Sequence, residues 1–437
     1  MKKLIPLFVS AALGTLSSAV WAENLAEIYN QAKEHDPQLL SVAAQREAAF
    51  EAINSSRSSL LPQINLTAGY NISRSDQDSR ESDLLSAGIA FSQELYQRSS
   101  WINLDTAEKK ARQADSQYAA AQQGLILRVA QAYFEVLLAQ DTLEFVQAEK
   151  AAVGRQLEQT KQRFEVGLSA ITDVHDAQAQ YDSVLADEVL AENNLINSYE
   201  TLREITGQGY SKLAVLDTKR FAASRTTESS EALIEQAQQK NLSLLSARIS
   251  QDVARDNISL ASSGHLPSLT LDGGYNYGNI RNDNNASNPS DYNDFKIGVN
   301  LSVPLYTGGN TTSLTKQAEF AYVAASQDLE ATYRSVVKDV RAYNNNINAS
   351  IGALRAYEQA VISAKSALEA TEAGFDVGTR TIVDVLDSTR RLYDANKNLS
   401  NARYDYILNV LQLRQAIGTL SEQDIIDVNA GLRVAKK

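Results

Sequence analysis

Four stretches of the chain alternate apolar residues with polar or very small ones. In the first, Ile64, Leu66, Ala68, Tyr70 and Ile72 alternate with Gln63, Asn65, Thr67, Gly69 and Asn71. In the second, Leu85, Ala87, Ile89 and Phe91 alternate with Ser86, Gly88, Ala90 and Ser92. The third interleaves Leu269, Leu271, Gly273, Tyr275 and Tyr277 with Ser268, Thr270, Asp272, Gly274 and Asn276. The fourth interleaves Phe295, Ile297, Val299, Leu301 and Val303 with Lys296, Gly298, Asn300 and Ser302. A period of two puts each set on its own face of a strand. Strands are predicted at about 61–73, 84–96, 266–278 and 294–306. The apolar sets carry no charge, and the opposite sets are polar or tiny rather than rich in Lys and Glu. Each run also has the ~10-residue length of a tilted membrane strand. These features favour a transmembrane sheet over a soluble half-buried one. The connecting segments Ser73–Asp83 and Gly278–Asp294, rich in Asn, Asp, Ser and Arg, read as exposed loops.

Four strands cannot close a barrel, and an open edge in lipid leaves backbone groups unpaired. Known membrane barrels have at least ~8 strands. The chain is therefore expected to pool strands with copies of itself. Two copies would give about eight strands and three about twelve, and the residues leave both open.

Elsewhere the pattern changes to a helical period. No proline occurs between Pro62 and Pro267, or after Pro304, so long helices can run unbroken. They are predicted at about 99–165, 171–207, 311–376 and 382–418. The longest would extend on the order of 100 Å at ~1.5 Å per residue. In the second helix Val174, Ala177, Tyr181, Val184, Glu188, Ala191, Leu195, Ser198, Leu202 and Ile205 form a seam in alternating steps of three and four. That spacing is the signature of a left-handed coiled coil. An equivalent seam recurs 211 residues later, from Val385 through Leu392, Leu399 and Tyr406 to Ala416. Gly167 and Gly378 fall between the paired helices, as helix C-caps would.

The recurrence is general. Leu61-Pro62 and Gly69-Tyr70-Asn71 return as Leu266-Pro267 and Gly274-Tyr275-Asn276, 205 residues on. Val166-Gly167 and Asp173-Val174 return 211 residues on as Val377-Gly378 and Asp384-Val385. Two tandem halves are expected, at 23–225 and 226–437, each a short helix, a β-hairpin and a long helical hairpin. Ahead of them, Met1-Lys2-Lys3, an apolar run from Leu4 to Leu16 and the small residues of Val20-Trp21-Ala22 form a secretory signal peptide pattern. Cleavage after Ala22 is expected, giving a signal at 1–22.

Composition narrows the chemistry. The 437 residues include no cysteine, which excludes disulfides, Cys-ligated metal and thiol catalysis. The three histidines, His35, His175 and His265, share no metal-site spacing. A net charge of -12 argues against nucleic acid as a partner. With no G-x-S-x-G and no P-loop, the chain reads as a non-enzyme without cofactor or structural metal.

Together the signal, halves, strands and hairpins resemble the TolC family of outer-membrane efflux channels over essentially the whole chain. The specific motifs are Glu23-Asn24-Leu25, Leu60-Leu61-Pro62, Arg163-Phe164-Glu165-Val166-Gly167-Leu168, Ile171-Thr172-Asp173-Val174 and the run from Val377-Gly378-Thr379-Arg380 to Asp387. The resemblance implies a mixed α and β membrane protein, a homotrimer. Four strands per chain would form a twelve-strand barrel in outer-membrane lipid, continuous with a coiled-coil α-helical tunnel in the periplasm. It implies an exit duct for multidrug efflux and type I protein secretion. A periplasmic membrane-fusion adaptor would open its tip, and an inner-membrane RND or ABC transporter would drive it.

The resemblance also assigns residues. Asp384 and Asp387, one turn apart, would form acidic rings that select and bind cations. Crowding of like charge there would raise carboxyl pKa values. Arg380 would bond Thr172 within a protomer and Asp173 of the neighbour, and Gln156 would meet Glu372. Gln162 and Phe375 complete the gate restraints. The family's best-known member carries a tyrosine where this chain has Phe375, so a hydroxyl is missing there, and Asp376 and His175 are candidates to compensate. Val166, Gly167, Leu168, Val377, Gly378 and Thr379 would be the adaptor-docking tips. The alternative is a periplasmic coiled-coil adaptor or scaffold without a channel, its strands forming a soluble sandwich. That accounts for the helices but not for the uncharged strand faces.

Overall fold

A computed structural model describes residues 23–74, 82–281 and 290–433. The expected signal peptide and the middles of both strand-connecting segments lie outside the described residues. The first half runs α1 (Leu25–His35), α2 (Pro37–Ser58), β1 (Gln63–Ser73), β2 (Ser82–Tyr96), α3 (Arg98–Glu165), α4 (Ile171–Thr206) and β3 (Val215–Leu216). The second runs α5 (Ser230–Lys240), α6 (Leu242–Ser262), β4 (Ser268–Arg281), β5 (Ser290–Ser302), α7 (Asn310–Asp376), α8 (Ile382–Ile417), α9 (Glu422–Ala430) and β6 (Leu432–Arg433).

The single short helix expected before each β-hairpin is two. Asp36-Pro37 divides α1 from α2, since Asp36 caps α2 through Leu39 N–H at 2.8 Å and Pro37 opens its first turn. Asn241 divides α5 from α6 in the same manner, accepting from Leu244 N–H at 2.9 Å. The small β3–β6 pair and α9 carry no periodicity long enough to read in advance.

The four long strands form one antiparallel sheet in the order β1-β2-β4-β5. Its register sets Ile64 opposite Phe91, Leu66 opposite Ile89 and Tyr70 opposite Leu85. It then sets Ile89 opposite Tyr275, Tyr275 opposite Phe295 and Leu271 opposite Val299. The four apolar sets thus join into one continuous face. A bulge between Glu94 and Tyr96 shifts the register of the last β2–β4 pair, Tyr96 opposite Leu269. The second hairpin sits higher than its loop chemistry suggests. β4 continues to Arg281 and β5 starts at Ser290, because the Tyr292 ring lies over Gly278 and Asn279 bonds Asp291 across the ladder. At the other end β5 stops at Ser302, two residues before Pro304, which has no N–H for a ladder.

Above the middle of the long helices, α3 packs on α2 and α6, and α7 on α5 and α6. Below it, α3 pairs with α4, α7 with α8, and α8 also packs on α3 and α4. The seam positions Ala177, Val184, Glu188, Ala191, Ser198, Leu202 and Ile205 are buried, and the Glu188 carboxylate is met by Lys150 Nζ at 2.5 Å. The main core joins both halves, with Phe134 stacked on Tyr404 at 5.5 Å and Tyr133 OH donating to Ala214 O at 2.6 Å. A second, smaller core lies toward the hairpin tips. Among the described residues, no helix is long and apolar enough to cross a membrane.

Candidate functional site

Two surfaces stand out: the sheet face and the paired hairpin tips. On the edge strands, Ile64 and Leu66 are 71% and 76% exposed, and Phe295 and Ile297 are 71% and 62% exposed. Apolar exposure on that scale needs a cover, and β1 and β5 both present unpaired edges.

At each tip a helix ends on a left-handed glycine. Gly167 has φ 78° and Gly378 φ 77°, a region that favours glycine because Cβ would crowd the backbone. Leu168 N–H then bonds Arg163 O at 2.7 Å, and Thr379 N–H bonds Gly374 O at 2.8 Å. These turns push Val166, Leu168 and Val377 into solvent, at 70%, 71% and 75% exposed. The next helix is then capped by an acid at its third position. Asp173 Oδ2 accepts from Ala170 N–H at 3.1 Å and Ser169 Oγ at 2.7 Å. Asp384 Oδ2 accepts from both Thr381 N–H and Thr381 Oγ at 2.9 Å, while Asp384 N–H returns a bond to Thr381 Oγ. The capping box holds α8 closed at its start.

Asp384 and Asp387 line one cleft of about 670 Å³ with Asp176, Gln180, Leu386 and Arg390. The Thr381 hydrogen bonds hold the Asp384 carboxyl below the usual carboxylate range, with a further contribution from the Arg380 charge. This local effect is opposite in sign to the crowding of like charge expected between protomers. Asp387 is not bare either: Arg390 and Arg391 approach it at 2.9 and 2.7 Å.

The restraint set is redistributed inside the protomer. Gln156 is buried and donates to Thr389 Oγ at 3.0 Å across α3 and α8, not to Glu372, which is exposed. Gln162 donates along its own helix to Glu158 at 3.2 Å. Arg380 makes no bond to Thr172 among the described residues; its stem lies over Gly374, where a Cβ would meet Arg380 Cγ at 2.7 Å. Asp376 accepts from Gln159 at 3.4 Å, while His175 is exposed. Phe375 is 9% exposed, in an apolar cluster with Val153, Leu157, Ala177, Ile382 and Val385.

Three participants were not foreseen. Thr381 was legible as the first member of a Thr-x-x-Asp capping box. Asp176 was legible from the repeat, since it precedes Asp387 by 211 residues, the offset that relates Asp173 to Asp384. Arg163, which lies against Phe375, left no sequence signal of its role.

The family model described as outer membrane efflux protein matches residues 28–208 and 233–419. The outer membrane protein TolC of Vibrio cholerae is 91% identical over the whole of both chains. The alkaline protease secretion protein AprF of Pseudomonas aeruginosa is 28% identical over 97% of this chain and 90% of its own. Among solved structures, the Campylobacter jejuni CmeC outer membrane channel matches with a TM-score of 0.77 at 16% identity, over 98% of each chain.

Proposed function

The chain belongs to the outer membrane efflux protein family, and from that premise we propose how it works as an outer-membrane exit duct. Three copies pool their sheets, β5 of one pairing β1 of the next. In a sheet ordered β1-β2-β4-β5 those edges run antiparallel, so the ladder continues around a closed barrel of about twelve strands. The apolar face meets lipid, and the polar and small face lines the lumen. The long helices form the periplasmic tunnel, and the hairpin tips form its entrance.

A periplasmic adaptor docks on the exposed apolar tips Val166-Gly167-Leu168 and Val377-Gly378-Thr379. An inner-membrane transporter of the RND or ABC class supplies the energy. Small molecules and, as the secretion relative suggests, proteins are the cargo. Asp384 and Asp387, repeated around the threefold axis, make the entrance attractive to cations. Arg380 of one protomer and Asp173 of the next form a charge-assisted restraint on the closed state.

One observation carries this reading: an apolar sheet face, charged only at its loop end by Asp83, Arg281 and Asp291, more than half exposed at its edge strands and flanked by two unpaired edges. The scaffold alternative leaves that face and both edges without a partner. The test is planar-bilayer conductance of detergent-purified protein with and without millimolar divalent cation, beside the Asp384→Ala/Asp387→Ala variant. Small discrete steps, blocked by cation only when both aspartates are present, are expected. Protein that never inserts would sink the duct; a block indifferent to the aspartates would sink the acidic entrance.

A further inference from the structure

Arg163 and Phe375 meet at the base of the two tips. Arg163 lies in the last turn of α3, and its carbonyl accepts the Leu168 N–H that closes the first tip. Phe375 lies in the last turn of α7, and its carbonyl accepts the Gly378 N–H at 3.0 Å. The Arg163 guanidinium carbon sits 4.7 Å from the centre of the Phe375 ring. Arg163 Nε is buried and has no hydrogen-bond partner. A buried donor without an acceptor is unfavourable. The ring face, which attracts cations, is what offsets it.

We propose that Arg163 and Phe375 form a clasp between the two helical hairpins, a cation–π contact that holds the α3–α4 tip against the α7–α8 tip and biases the entrance toward its closed state. This rests on the gated-duct reading above. The contact crosses hairpins: on the tip side of the long helices α3 pairs with α4, and α7 with α8. Separating the hairpins therefore pulls the ring from under the charge and uncovers an apolar surface that is now buried. The clasp also touches both turns directly, since each partner's own carbonyl closes its glycine turn. An adaptor bearing on either tip reaches it through one turn of backbone. The contact uses the ring face, so Phe375 serves without the tyrosine hydroxyl.

The test measures resting bilayer conductance of the full trimer carrying Arg163→Gln, Phe375→Leu, both together, or Phe375→Trp. Variants are compared at equal recovery of heat-resistant trimer. If Phe375→Leu fails to assemble, Arg163→Gln and Arg163→Lys carry the test. Each single loss should raise the open-to-closed ratio between about 2-fold and about 30-fold. The double variant should rise no further than the larger single, and Phe375→Trp, which keeps a ring face, should not rise. Additive increases, or an unchanged Arg163→Gln, overturn the clasp. The Asp384→Ala/Asp387→Ala variant runs alongside as a separate readout. If its cation block is lost as expected while Arg163→Gln changes nothing, the clasp alone is wrong. If the aspartates do not govern the block either, the gated entrance itself is wrong and the clasp falls with it.

Discussion

A lysine at Ile89 should stop the protein from assembling in the outer membrane, while a lysine at the very next residue should not. Ile89 is the central residue of β2, seven positions from each end, and lies 52% exposed between Leu66 and Tyr275 on the apolar face. At ~3.3 Å per residue and a tilt near 40°, seven residues cover about 18 Å of depth. Ile89 therefore sits close to the bilayer midplane. A lipid-facing Lys there costs about 2–4 kcal/mol per chain, and about three times that in a trimer if the sites act independently. Ala90 has the same depth, is also exposed, and points to the opposite face beside Asn65 and Gly274. A Lys at Ala90 meets lumen water, and its effect should stay within about 0.5 kcal/mol. A soluble sandwich would cover the same apolar face and keep the same ranking, so recovery from the outer membrane by detergent alone is what separates it from the barrel. The assay is the yield of heat-resistant, detergent-extracted trimer from outer membranes for Ile89→Lys and Ala90→Lys. Equal yields, or loss confined to Ala90→Lys, would refute the assignment of faces.

Three further outcomes concern the helical hairpins. Phe375→Tyr keeps the ring under Arg163 and adds the hydroxyl that the family resemblance brings to the neighbour's Asp173, so resting conductance should fall, by about 2- to 13-fold for one hydrogen bond of ~0.5–1.5 kcal/mol; an unchanged conductance would refute it. Thr381→Ala removes the hydroxyl, one of the two Thr381 donors that hold the Asp384 carboxyl down, and keeps the backbone N–H; a cap residue of this kind contributes ~1 kcal/mol. The Asp384 charge now persists until pH falls through its lowered pKa, so Thr381→Ala should move the loss of cation block to higher pH with both aspartates intact; titrating the block in bilayers checks this. Glu149 has the opposite sign: burial, then the Asp394 and Asp187 charges, push its carboxyl above the ordinary glutamate range. Its unfavourable ionisation is relieved below that raised value and returns as pH rises through it, so acidification from neutrality should raise trimer heat resistance, and Glu149→Gln should flatten the response.

The sheet and the helical hairpins were legible because each depends on one periodic signal. The apolar residues of β1, β2, β4 and β5 face one way for the same reason that they alternate, and a slip of one residue would turn a whole set to the other face. The coiled-coil seam was legible even at Glu188, a charge that a purely apolar pattern rejects; Lys150 supplies the partner from α3. The strand ends of the second hairpin were not legible. Asn and Asp disfavour strands by their local bonding, but Asn279–Asp291 and Tyr292 over Gly278 are cross-strand contacts that a local propensity does not contain. The polar partners at the tip were obscured for a related reason. Gln156 reaches Thr389, 233 residues away, and which acceptor a buried amide finds depends on how α8 rotates against α3.

On the proposed function, stability and cation attraction share one carboxylate at Asp384. Its two Thr381 donors use one oxygen, Oδ2, and lock the start of α8 at the tip. The same bonds favour the ionised form, so on the proposed reading they oppose the crowding of like charge in a trimer. Asp173 repeats the arrangement 211 residues earlier with Ser169 and Ala170 as donors. A replacement at Asp384 therefore changes helix capping and cation attraction together, and a weakened cation block in Asp384→Ala cannot by itself be assigned to charge. Thr381→Ala separates the two, because it loosens the cap and leaves the carboxylate in place. A block that survives at neutral pH in Thr381→Ala but is lost in Asp384→Ala assigns the block to the charge; equal loss in both assigns it to the fold of the tip.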